Sequence, residues 1–244
     1  MQQLQQIRLA AVNIDGVLLN DTFSPVIHRF ITSRGGHYDA AVEREIFSQT
    51  QLTAARALGV AAGLTSPPEE ILAAYFAERE QYLAHDPIRI LDGAVDLLGR
   101  LRGTGLRTVC YGGLDKSHFD RYLGDHADLF DGPGYVCTND YRPGVREITT
   151  EVFGLGFDEI VFIDDVARVA EAAKELGVPF IGHPSGFEHG HQGELMRKAG
   201  VRHLVDSLAD INEELLRTVD AEAATGRVWE TGTNSLAETK GNVA

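Results

Sequence analysis

Apolar residues run almost unbroken from Ile7 to Ile14 (IRLAAVNI) and stop at Asp15-Gly16. A strand buried on both faces reads this way, because neither of its faces meets water. Four later runs share the form: 106–111 ending at Gly112-Gly113, 159–163 ending at Asp164-Asp165, 178–182 and 201–205. Between them the period turns helical. Val95, Leu98 and Leu101 form one stripe in 92–101; Val169, Ala172, Ala173 and Leu176 form another in 167–176, and a further helix is expected over 208–216. Strands alternating with helices of this length predict an α/β fold with a doubly wound parallel sheet.

The alternation breaks between the first two runs. No strong strand signal occurs there, and four helices are expected, over 24–33, 39–48, 52–57 and 68–84. Ser66 is the expected N-cap of the last, with Pro67-Pro68 and Glu69 behind it. The chain therefore divides into a core (1–21 and 87–216), a helical insertion (22–86) and a polar tail (217–244) expected to be loosely ordered around Trp229. No internal repeat is present.

Composition narrows the class. With 24 % charged and 43 % hydrophobic residues the chain is neither a disordered tail nor a fibre. The formal charge of −14 argues against nucleic acid or an anionic membrane as partner, since both need clustered Lys and Arg. Cys110 and Cys137 have no metal-type spacing, no signal peptide is visible, and no run approaches the ~18 apolar residues of a membrane span. A reduced, cytoplasmic setting is the plain expectation.

Ligands of open parallel sheets bind at the carboxyl ends of the strands. Those ends carry Asn13 and Asp15, then Tyr111-Gly112-Gly113, then Asp164-Asp165, with Arg142-Pro143-Gly144 in the loop before the last pair. Three carboxylates in one crevice repel each other unless a cation or proton compensates. Mg²⁺ takes oxygen ligands, so Asp164, Asp165, Asp15 and the carbonyl of Asn13 are its candidate ligands. Gly112, Gly113, Arg142 and His183 are the candidate substrate contacts. Each has a plainer reading: Asp-Gly can be a turn, Asp164-Asp165 can cap a helix, Tyr111 can fill space, and Arg142 can be a surface residue. His189 and His191 with Glu188 could hold a metal, although no further ligand stands at a fixed spacing.

The order strand–N-x-D-G, helical insertion, strand–G-G, R-P, strand–D-D resembles the haloacid dehalogenase superfamily with a helical cap, over nearly all of 7–216. The resemblance implies a nucleophilic Asp where Asn13 stands and a general acid/base at Asp15. It also implies a Ser or Thr at Gly112 or its neighbour, a Lys at Arg142, and Mg²⁺ on the Asp164-Asp165 pair. Three of these positions depart from that pattern. An amide is a very poor nucleophile, and losing a nucleophile costs roughly six decades of rate, about 8 kcal/mol. Gly112 loses a hydroxyl but keeps an N–H for an anion, and Arg142 keeps the charge in a planar fork. A small anionic metabolite, phosphorylated or carboxylated, is the expected ligand. The expected activity is non-standard hydrolase-like chemistry. The alternatives are a pseudoenzyme that binds a ligand or partner protein, and a Mg²⁺ phosphatase inactivated at position 13.

Overall fold

A computed structural model of the chain describes residues 3–230. Strand β1 (Leu9–Asn13) is followed by four helices, α1 (Ser24–Thr32), α2 (Ala40–Ile46), α3 (Gln51–Ala61) and α4 (Pro68–Leu83). Then come α5 (Ala94–Gly103), β2 (Arg107–Gly112), α6 (Lys116–Leu123) and β3 (Tyr135–Cys137). The short α7 (Val145–Glu147) runs on into a π turn at Ile148–Val152. The chain continues through β4 (Ile160–Asp164), α8 (Ala167–Leu176), β5 (Phe180–Gly182), α9 (Gln192–Ala199), β6 (His203–Leu204) and α10 (Glu213–Ala224).

The six strands form one sheet in the order β3-β2-β1-β4-β5-β6, every pair parallel. All five residues of β1 are buried. Leu9 and Ala11 join one apolar cluster, while Ala10 and Val12 join the other. The continuous apolar run thus reflects a central strand covered on both faces.

The four helices between β1 and α5 pack on one another. The rings of Phe30 and Tyr75 meet edge-on at 6.2 Å. Gly59 lies so near α4 that a Cβ there would sit 2.2 Å from Ile71 Cδ1. The two chain crossings into and out of this unit are tied together. The Arg89 N–H donates to Asn20 Oδ1 (2.8 Å), and the Leu91 N–H donates to the Leu18 carbonyl (2.9 Å).

Several local expectations are corrected. The third helix runs to Ala61 rather than ending at 57. Pro67, not Ser66, occupies the N-cap of α4, without a side-chain cap bond. The stretch 208–216 splits into a 3₁₀ turn (Leu208–Asp210) and α10, which Asn212 starts by accepting from the Leu215 N–H at 2.9 Å. The region after Arg217 is not loosely held as far as residue 230. Val219 and Ala223 of α10 are buried, and the Trp229 indole donates to the Val178 carbonyl at 2.9 Å. Its apolar residues are few but lie on one side, and that suffices to dock it. Residues 231–244 of that expected tail lie outside the described residues. No helix among the described residues is long and apolar enough to cross a membrane.

Candidate active site

β1 lies between β2 and β4, so the carboxyl ends of three strands meet at one place. The chain turns sharply after β1: Gly16 has φ +91°, and a Cβ on it would lie 2.1 Å from Asp165 Oδ2. Only glycine permits both the backbone conformation and the approach of that carboxylate.

Asn13 sits under this turn. Its side-chain amide donates to the Asp15 carbonyl (2.7 Å) and to Asp165 Oδ1 (2.8 Å). Both partners are acceptors, so the NH₂ end must face them. Asp164 is nearly fully buried and committed as well. Its Oδ2 accepts from the Tyr111 hydroxyl and its Oδ1 from the Val166 N–H at 2.7 Å. Burial raises the carboxyl of Asp164, and burial followed by the neighbouring Asp164 charge holds Asp165 well above the usual carboxylate range. Donation from the Asn13 amide to Asp165 and from the Tyr111 hydroxyl to Asp164 eases the repulsion between these carboxyls.

The residues do not fit the Mg²⁺ that the resemblance implies. The space between the Asp15 carbonyl and Asp165 receives two amide hydrogens where an ion needs oxygen atoms. Both oxygens of Asp164 already accept a hydrogen bond, and no cluster of three His, Cys, Asp or Glu able to hold a metal occurs among the described residues. The expectation of Mg²⁺ on Asp164, Asp165, Asp15 and Asn13 is therefore not carried into the chemistry. The same holds for the His189–His191 option. His189 stacks on His28 at 4.3 Å, and the His191 N–H donates to the Glu43 carboxylate (2.9 and 3.0 Å).

Asp15 faces a different partner. Its Oδ1 lies 2.9 Å from His118 Nε2, and its Oδ2 has no hydrogen bond among the described residues. His118 belongs to the first turn of α6, which begins beside the end of β2. The hydrophobic pattern of the sequence does not single it out; its place three residues after Asp115, just beyond a strand's carboxyl end, is the available signal.

Arg142 supplies the positive charge. Its Nη1 donates to Thr138 Oγ1 at 3.0 Å, its Nε has no partner, and it forms no ion pair among the described residues. The glycines at 112 and 113 are packed differently. A Cβ at 112 would lie 2.5 Å from Ile14 Cγ2, so a Ser or Thr is excluded there by packing. At 113 the Arg142 guanidinium packs over the backbone, and an added Cβ would meet its central carbon at 3.4 Å, an ordinary contact.

Asn13, Asp15, Gly113, Arg142 and Asp165 line one cavity of about 150 Å³. Asp164, Gly112 and His183 do not line it. Asp164 is engaged beneath the floor and Gly112 is close-packed. His183 Nδ1 lies 3.3 Å from the Gly16 carbonyl, and burial lowers its pKa. The helical unit furnishes the other wall, including Phe23, Phe47, Leu58, Leu72, Tyr75 and Phe76. Gln51 of α3 ties the two walls, its Nε2 donating to the Gly113 carbonyl at 3.2 Å.

A parallel sheet with four helices inserted after its first strand, and a cavity with polar groups at the strand ends and a mainly apolar wall from that insertion, define the fold class. It is the fold of the haloacid dehalogenase-like proteins, as comparison with solved structures shows. The beta-phosphoglucomutase of Clostridium difficile superposes with a TM-score of 0.66 at 14 % identity, over 90 % of this chain and 99 % of that one. A phosphonoacetaldehyde hydrolase-like protein from Oleispira antarctica gives 0.64 at 14 %, over 93 % and 97 %. A HAD family hydrolase from Deinococcus radiodurans, solved with bound phosphate and sodium, gives 0.58 at 18 %, over 90 % and 97 %. No protein-family model and no curated protein matches the chain.

Proposed function

We propose that this chain is a hydrolase-type enzyme acting on a small organic oxyanion, through acid–base chemistry at Asp15 and without a covalent intermediate at position 13. The observation that carries this reading is the Asp15–His118 pair at the edge of a cavity that also holds an unpaired guanidinium. Asp15 has one oxygen fixed by His118 and the other unbonded, the arrangement of a group positioned to move a proton. Water supplies the attacking oxygen and gives a proton to Asp15 as its new bond forms at the acyl or phosphoryl centre; the bond from that centre to the leaving oxygen breaks, and the departing oxygen takes the proton back from Asp15 to leave as an alcohol. Arg142 holds the anionic group, as its planar fork suits a carboxylate or phosphate. Asn13 does not attack; it anchors Asp165 and the Asp15 backbone.

A second reading, ligand binding without turnover, draws on the full engagement of the Asn13 amide and of Asp164. Turnover of p-nitrophenyl esters and p-nitrophenyl phosphate in EDTA separates the two. The enzyme reading expects release of nitrophenol that falls roughly 10²–10⁴-fold in Asp15→Asn, with anion binding kept. Binding in both proteins with no release in either contradicts it and leaves the binding module. Release that needs both Mg²⁺ and Asn13→Asp instead identifies a phosphatase lacking only its nucleophile.

A further inference from the structure

The class of anion can be read from the cavity, taking the proposed site as given. We infer that the ligand is an organic oxyanion whose body is a compact apolar group of about six to eight carbons, seated against α3 and α4, rather than a polyol such as a sugar. The head and the body have separate walls. On the sheet side Arg142 is the cation without a carboxylate partner. Two of the acidic groups are engaged through one oxygen each, Asp15 by His118 and Asp165 by Asn13. Asp21 Oδ1 accepts from the Phe23 and Ser24 N–H groups at 2.9 Å each, while its buried Oδ2 has no partner and is left for a polar hydrogen of the ligand.

On the helical side the wall is mainly apolar and aromatic, from Phe23, Ile27, Phe47, Leu58, Leu72 and Phe76, with Gln49 and Gln51 as its only amides among the described residues. Two hydroxyls lie among them. Ser48 and Tyr75 are each 5 % exposed, and neither oxygen has a partner. Ser48 also holds φ at +54°, the left-handed region that a side chain enters at a cost, as residues at ligand sites often do. Two hydroxyls can meet one or two polar atoms of a ligand. A sugar carries one on nearly every carbon, and each left unpaired against this wall costs the hydration it gives up. A cavity of about 150 Å³ is also the size that, when lined by apolar side chains, takes a benzene-sized molecule.

Calorimetric titration of the intact chain tests this with two ladders. The first runs acetate, butyrate, hexanoate, phenylacetate. The second sets phenyl phosphate against glucose 6-phosphate, and so also decides whether the head is a carboxylate or a phosphate. Affinity is expected to rise about fourfold per methylene up to hexanoate, and phenyl phosphate to bind more tightly than glucose 6-phosphate. Arg142→Gln should weaken the oxyanions roughly 10–100-fold while leaving hexanol unchanged. Ala54→Leu, on the helical wall, should remove the gain from the longer chains and keep acetate. Should that variant not fold, Leu72→Ala should move the best chain to a longer one. Tighter binding of glucose 6-phosphate, or of hexylamine over hexanoate, overturns the inference. The readout is binding alone. Phenyl phosphate bound without release of phenol and phosphate refutes the proposed reaction and keeps this ligand class; turnover confined to sugar phosphates does the reverse.

Discussion

Asn13 is the residue on which the chemistry turns. Its neutral amide satisfies two acceptors at once, the Asp15 carbonyl and Asp165 Oδ1. Replacing it by a carboxylate removes both donors and sets a negative charge against a buried acidic pair. Asn13→Asp should therefore lower stability by about 2 kcal/mol or more in EDTA, seen as a drop in Tm. Millimolar Mg²⁺ should restore much of it, because the new oxygen completes an oxygen-lined space. An unchanged Tm in EDTA would show that the amide is not holding this floor together. Asp15, Asp165, Arg142 and Gly113 were legible in the sequence because strand ends and Gly-rich turns announce themselves. The commitments of Asp164 to Tyr111 and of Asp15 to His118 were not, since each partner is an ordinary residue whose role depends on which strands are neighbours.

At the scale of elements, the helical unit is tied to the sheet by a few polar contacts with definite chemistry. Glu43 of α2 is fully buried, accepts from the Tyr38 hydroxyl at 2.6 Å, and receives the His191 N–H that precedes α9. Burial raises its pKa above the ordinary 4.5 despite those donors. The folded state then holds the Glu43 proton more tightly than the unfolded chain. This contribution to stability is present below the ordinary value and declines as pH rises through the window between 4.5 and the raised value. Glu43→Gln should remove the decline, so the variant's Tm relative to the native chain should climb across that window and then level off. A constant offset from pH 4 to 8 would mean that folding does not shift the Glu43 carboxyl. None of this was readable beforehand, because Glu43 belongs to the expected helix at 39–48 as one charged residue among several. The existence of that helix followed from its period, whereas its burial follows from the loop before α9 that lies against it.

For the whole molecule, the two ends of the described chain lock the sheet. Asp220 of α10 accepts from the N–H groups of Gln5, Gln6 and Ile7 at 3.0, 2.9 and 2.8 Å, just ahead of β1. Removing a buried carboxylate that serves three donors should be costly: Asp220→Ala is expected to lose about 3 kcal/mol, measured by denaturant unfolding, with ligand binding at the opposite end of the sheet intact. A loss under about 0.5 kcal/mol would show that the contact is incidental. The parallel architecture and the helical insertion were readable from period alone, because buried parallel strands leave continuous apolar runs. β3, only three residues long, and the docking of α10 were not, since neither carries a run long enough to stand out.

The proposed organic oxyanion sits in a cavity whose floor the Asn13 amide holds without a divalent ion. Calorimetric titration of the native chain with phenyl phosphate, once in EDTA and once in millimolar Mg²⁺, tests that directly. The same affinity in both is the predicted result; binding that vanishes in EDTA and returns with Mg²⁺ would contradict it.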